Sequence, residues 1–397
     1  MHLRLSVPTH RRNYLVIFSI IIAIFVIVAY VLWLQNKIAP SVGRKNIISV
    51  QVREHPLQSV VTAFYSFDLI SKQSKEILNI PENTPIHEAS VSPDGQKLYY
   101  ISSSTRDGLP ISFPNAVTIV TSDGSKQEFK FAKDALWTLS SPGILIGGLD
   151  RDCFWSPNSS KLACILIQRE SSTGAGIGLT NIMLLDYSTK EISEVFNSDN
   201  LFAQKHELLY TKFAGWVGNE KLLVVTIDQT ANIINGDIQP ADFYTVDIKT
   251  QSVDKQFSYR YSGSPIAVSR EGERILLEST SRLLGNTRLV EFDLLSKKNT
   301  VFNASKDIYV ANIAVSEDGS KMVYSASTGG EINIYDLSTR EEKTIKVPTS
   351  IYAVQALLHD NKTFIFSKNR EKNSSLFDNQ TQQIVDLKGF YIGFGDF

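Results

Sequence analysis

Two hydrophobic patterns divide the chain. From Tyr14 to Leu34 it reads YLVIFSIIIAIFVIVAYVLWL, in which Ser19 is the one non-aromatic polar side chain, and uncharged sequence continues through Asn36. A helix of that length, rising 1.5 Å per residue, matches the ~30 Å hydrocarbon core of a bilayer. Tyr14, Tyr30 and Trp33 lie towards its ends, where amphipathic rings suit the headgroup region. Nothing interrupts the run as the polar face of a soluble helix would. It also exceeds the ~7–15 apolar residues of a cleaved leader, and a cut after Ala39 would fall between bulky Ile38 and Pro40. The expectation is one transmembrane helix over 14–36, after a basic tail over 1–13. A linker over 37–58, containing a candidate closing strand, leads into the main domain over 59–397.

The second pattern repeats. A small apolar run, a tight polar turn and a second β-rich run recur at 89–102, 153–167, 215–227, 267–280, 314–327 and 356–368. Between them lies another two-run unit, mostly with an aspartate before the turn, at 64–78, 116–131, 181–196, 243–257, 288–302, 332–347 and 375–387. Pro, Asp, Asn and Gly supply the turn dihedrals, so each unit reads as a β-hairpin. Two alternating hairpins per period of roughly 45–60 residues make a four-stranded sheet, the size of a propeller blade.

The expected fold is therefore all-β: a β-propeller of four-stranded blades behind one transmembrane α-helix. Six hairpins of the first kind against seven of the second predict seven blades, with six as the runner-up. The seventh would be split, its outer hairpin at 64–78 completed by GFYIGFGDF (389–397) and IISVQV (47–52). Tying the two ends together would remove exposed sheet edges.

The phrases VSPDGQKLYYIS, WSPNSSKLACI and VSEDGSKMVYSAS resemble the repeats of TolB-like and WD40-like propeller proteins. Ser92-Pro93-Asp94-Gly95 matches the turn of that repeat in full, Ser156-Pro157-Asn158 and Ser316-Glu317-Asp318-Gly319 in part, and Trp216-Val217-Gly218-Asn219 departs from it. The resemblance covers most of 60–390 and implies a fold, because the motif is a turn device and carries no catalytic residue. An anchor before such a propeller also looks like the front part of dipeptidyl-peptidase-type enzymes. No Gly-x-Ser-x-Gly nucleophile elbow occurs in the chain, so the catalytic half of that family is not expected here.

Composition sharpens the division. Of 40 Lys+Arg, only Arg4, Arg11 and Arg12 fall in residues 1–36, which hold no acid, leaving 37 bases against 41 acids in the body. The acid-free tail favours an N-terminus in the cytoplasm and a propeller outside it. The mildly acidic body argues against a nucleic-acid partner. Expected partners are the membrane, through 14–36, and a protein or cell-envelope component.

Candidate chemistry is sparse. His55, His87, His206 and His359 lack the short spacings of a zinc site. Asp150 and Asp152 fall short of the six to eight oxygens Ca²⁺ takes. Gly174, Gly176 and Gly178 precede the β-like run from Asn181 to Asp186 and not a helix, against a dinucleotide site. No cofactor or metal site and no catalytic residue is assigned. If the 153–167 hairpin turns between Asn158 and Ser159, Cys153 and Cys164 face each other, close enough for a disulfide unless a one-residue bulge intervenes. Such a bond would favour an oxidising compartment.

In an up-and-down blade the tight turns share one face, and the longer connections Ser103–Asn115, Ala132–Asp152, Glu170–Thr180, Asn197–Lys212 and Asp228–Asp242 share the other. Binding residues gather on long loops of a rigid scaffold, which makes Phe113, Trp137 and Phe202 candidate partner contacts. The functional expectation is a membrane-anchored, extracytoplasmic, non-enzymatic protein-interaction or scaffold module. The alternative is a propeller enzyme or small-ligand receptor with its site at the central channel.

Overall fold

The computed structural model describes residues 46–55, 58–81, 86–106, 109–131, 137–138, 152–168, 179–198, 209–228, 239–261, 266–268, 273–281, 286–302, 310–316, 320–326, 330–358, 360, 362–368 and 373–394. The basic tail, the apolar run 14–36 and Phe202 lie outside them. Among the described residues no helix is long and apolar enough to cross a membrane.

Seven antiparallel sheets form a seven-bladed propeller. The chain opens with β1 (Asn46–His55), β2 (Gln58–Asp68) and β3 (Ser74–Asn79). Blade 1 follows as β4 (Ile86–Val91), β5 (Lys97–Arg106), β6 (Leu109–Thr121) and β7 (Lys126–Lys130). Blade 2 holds β8 (Trp137–Thr138), β9 (Cys153–Trp155), β10 (Lys161–Gln168), β11 (Leu179–Asp186) and β12 (Glu191–Asn197). Blade 3 is β13 (Leu209–Val217), β14 (Lys221–Asp228), β15 (Gln239–Asp247) and β16 (Val253–Tyr261). Blade 4 is β17 (Ile266–Val268), β18 (Arg274–Ser281), β19 (Asn286–Asp293) and β20 (Lys298–Phe302). Blade 5 is β21 (Val310–Val315), β22 (Lys321–Ala326), β23 (Glu331–Asp336) and β24 (Glu342–Lys346). Blade 6 is β25 (Ala353–Leu357), β26 (Thr363–Ser367), β27 (Ser374–Asp378) and β28 (Gln383–Asp386), and β29 (Phe390–Phe394) ends the ring.

The closing blade runs β29-β1-β2-β3, so the last strand is innermost and the first three complete it. The split blade read from the hairpin count is present, and β1 lies within the segment 37–58 expected to hold a candidate closing strand. Close approach fixes two glycines here. A Cβ on Gly389 would sit 1.9 Å from the Val50 carbonyl, and one on Gly393 would sit 2.6 Å from Val91 of blade 1.

Six of the seven blades reuse one turn. Asp68, Asp186, Asp247, Asp293, Asp336 and Asp378 each accept backbone N–H bonds from the residues two and three positions on, at 2.7–3.2 Å. The residue four positions on is left-handed in all six: Lys72, Lys190, Gln251, Lys297, Arg340 and Gln382. The carboxylate organises the turn well enough to hold a conformation that glycine would take at less cost. On the first hairpins, Ser92 and Ser156 oxygens accept from Lys97 and Lys161 N–H, and Ser159 stands left-handed where blade 1 has Gly95.

The core lies between blades. Tyr99, Ile101, Val117 and Phe129 of blade 1 pack on Trp155, Leu162, Cys164 and Leu185 of blade 2, all buried. The pairing of β5 with β6 continues through Ser104↔Phe113 to Arg106↔Leu109. The segment Ser103–Asn115, expected as an irregular loop, is thus mostly a long hairpin. Its paired strands continue as far as Arg106 and Leu109.

Candidate functional site

The innermost strands ring the propeller axis, so chemistry at a central channel has to come from them or from residues beside them. Across β4, β9, β13, β17, β21, β25 and β29, the acid carried within an inner strand is Glu88 on β4. A register shift between Ile86 and Glu88 accompanies it. In the neighbouring blade the inner edge of β10 is covered in two pieces, by β8 at Gln168 and Ile167 and by β9 from Cys164 to Leu162. Asp152 stands at the re-entry to the second piece, where its carbonyl accepts the Ile165 N–H at 2.7 Å.

These two features meet. Glu88 and Asp152 are fully buried. The Glu88 carboxylate accepts the Asp152 N–H at 2.9 Å through Oε2 and the Cys153 N–H at 3.3 Å through Oε1. The buried Tyr99 hydroxyl lies within hydrogen-bonding distance of Glu88 Oε1 and, at 2.8 Å, of the Cys153 carbonyl. Blade 1 thereby holds the backbone of blade 2 on both sides of Cys153. A buried carboxylate without such donors would be strongly disfavoured.

Cys153 itself is bonded to Cys164, with Cα atoms 4.1 Å apart. The register Cys164↔Cys153 is a non-hydrogen-bonded pair, because the backbone bonds fall on Ile165–Asp152 and Ser156–Lys161. That pair type brings side chains closest. The ring of Tyr99 lies 5.8 Å from Trp155, so the polar cluster is walled by aromatic surface.

A third buried carboxylate lies where blades 4 and 5 meet. Glu291 on β19 is 3% exposed and lies 3.4 Å from the Arg274 guanidinium, which also donates to the Leu337 carbonyl of blade 5. Burial pushes the Glu291 carboxyl up, against the pull of Arg274 and Arg340. Burial, with Glu291 nearby, raises the Tyr335 phenol to about 12. This cluster sits at the turn end of its blades, since Arg274 pairs with Asp293.

Of the partner candidates, Phe113 lies in β6 opposite Ser104, Trp137 lies in β8 opposite Gln168, and Phe202 is outside the described residues. Sequence reasoning missed Glu88, Tyr99, Arg274 and Glu291. One signal was available: Glu88 is an acid in an inner strand, where the other inner strands carry none. Among the described residues, no group of three or more His, Cys, Asp and Glu side chains gathers as a metal site.

No family profile matches the chain, and no curated protein matches it in sequence. Solved structures do. The acylaminoacyl peptidase of Pyrococcus horikoshii aligns with a TM-score of 0.58 at 15% identity, over 87% of this chain and 51% of that one. The β-propeller domain of the Trilobed protease from Pyrococcus furiosus, described as having an open velcro topology, aligns at 0.56 and 16%, over 87% and 95%. An oligogalacturonate lyase in complex with manganese aligns at 0.55 and 11%, over 84% and 90%. The chain thus spans about half the length of the acylaminoacyl peptidase it resembles. TolB from Acinetobacter baumannii also matches, at a TM-score of 0.45 that carries no argument. These likenesses show the fold, and they correct one expectation. Propellers of peptidases and of a lyase are the company this chain keeps, so the non-enzymatic scaffold reading gives way to its alternative.

Proposed function

We propose that this propeller serves an enzyme or small-ligand receptor whose site lies at the central channel, beside the inner strands of blades 1 and 2. The observation that carries the reading is the approach of two buried carboxyl residues, Glu88 and Asp152, at an inner edge that two separate strand pieces cover. In this reading Asp152 brings the carboxylate for proton transfer or ligand binding, and Glu88 is a positioning residue that fixes the Asp152 and Cys153 backbone. Buried acids suit general acid–base work because their environment sets when they hold a proton. The solved propellers named above, from peptidases and an oligogalacturonate lyase, supply the substrate classes to try: peptides and acidic oligosaccharides.

The same proposal places the domain outside the cytoplasm, held by a membrane span over 14–36. The buried Cys153–Cys164 disulfide supports it, since such bonds persist in oxidising compartments.

The test is to incubate the purified full chain with peptide and oligogalacturonate libraries, with and without Mn²⁺, and to follow turnover and saturable binding. Turnover or micromolar binding that falls at least tenfold in Asp152→Asn, with unfolding unchanged, is the expected result. No turnover and no binding with either class, or full activity in that variant, sinks the reading.

A further inference from the structure

The tight-turn face carries two side chains that the fold does not explain. Ile70 is 72% exposed and Leu295 is 74% exposed, and both occupy the position two residues after the turn aspartate. The other four turns of this type place Ser188, Lys249, Ser338 and Gln380 there. Each apolar tip is followed by exposed lysines, Lys72 and Lys75 in the closing blade and Lys297 and Lys298 in blade 4. The turn carboxylates beside them are engaged by backbone N–H groups, Asp68 by Ile70 and Ser71, and Asp293 by Leu295 and Ser296. An apolar tip with exposed lysines close behind it in sequence suits attachment to an anionic bilayer surface, with the side chain in the interface and the ammonium groups at the headgroups.

The chain's own course points the same way. Asn46, the first residue of the ring, pairs with Asp68, so the chain enters at the turn face. Nine residues, 37–45, precede it, a reach of at most about 30 Å. We propose that the turn face seats on an anionic lipid surface through Ile70 and Leu295, leaving the face of long connections turned away from the bilayer. This rests on the membrane span proposed for 14–36 and adds to it the surface that meets the lipid.

The test uses the full chain in phosphatidylcholine vesicles with and without phosphatidylglycerol. Both native cysteines are bonded, so Ile70→Cys, Leu295→Cys and, at the opposite end of β19, Asn286→Cys each offer one thiol for a fluorescent label. Nitroxide-bearing lipids should quench the label at 70 and 295 at least twofold more than at 286, and more strongly with phosphatidylglycerol present. Equal quenching at the three positions, in a chain that alkaline carbonate does not extract, overturns the seating and leaves the span standing. Extraction by carbonate overturns the span and the seating with it.

Discussion

The seams between blades 1 and 2 and between blades 3 and 4 both bury apolar surface, but the first adds a buried polar cluster where the second adds a run of stacked rings. At the second, Phe257 of blade 3 stacks on Phe292 of blade 4 with centroids 3.6 Å apart, Phe243 stacks on Phe257 at 4.4 Å, and Tyr259 meets Phe292 edge-on at 5.9 Å. At the first, Glu88 and Tyr99 grip the backbone around a disulfide. Aromatic surface holds two sheets together without fixing any one backbone group. Hydrogen bonds to a buried carboxylate fix Asp152 and Cys153 and make an unforgiving site, because losing the carboxylate strands several donors. The contrast separates a seam built for cohesion from one built for position.

The largest effect is expected at the aromatic seam. Phe243 is fully buried, and Phe243→Ala should cost about 3–5 kcal/mol, read by urea unfolding. A loss below about 1 kcal/mol would show that the stack is not what joins blades 3 and 4. Next comes the disulfide. Replacing Cys153 and Cys164 together by Ala should cost about 2–3 kcal/mol, the scale for a loop of this length. Amide exchange should quicken around Cys153 and Ala163 and stay slow around Phe292; uniform quickening would refute a local role for the bond.

The smallest effect concerns the turns, which both seams share. Serine hydroxyl and backbone N–H bonds hold the Asp336 carboxyl at about 2, below its ordinary 3.8. A depressed carboxyl adds stability above its unfolded value, and that stability is lost as pH falls through the folded one. Unfolding midpoints should therefore drop between about pH 4 and pH 2, and less steeply in Asp336→Asn. Parallel curves for the two proteins would remove this turn from the account.

Much of this fold was legible in the chain. The hairpins show because Pro, Asp and Gly mark their turns locally, and the hairpin count shows the split blade because closure must leave one outer hairpin without its partner. The opposition of Cys153 and Cys164 follows from a turn between Asn158 and Ser159, a local relation. The continuation of β5 and β6 past the blade was hidden because Pro110 and Pro114 read as loop signals in what became a strand. The division of the inner edge of blade 2 between β8 and β9 was hidden because two residues make no periodic pattern. Glu88 was hidden for a deeper reason: its backbone partners lie 64 and 65 residues away in the next blade, so the acid in an inner strand is visible in the sequence but what it holds is not.

One measurement bears most directly on the division of labour between the seams: turnover or ligand affinity set beside unfolding free energy for Glu88→Gln and Phe243→Leu. The account predicts that Glu88→Gln, which sets an amide N–H against a backbone donor, loses at least tenfold in function beyond what its own loss of stability explains, while Phe243→Leu loses stability and keeps its function. Equal losses of both quantities in the two variants, or full function in Glu88→Gln, would contradict it.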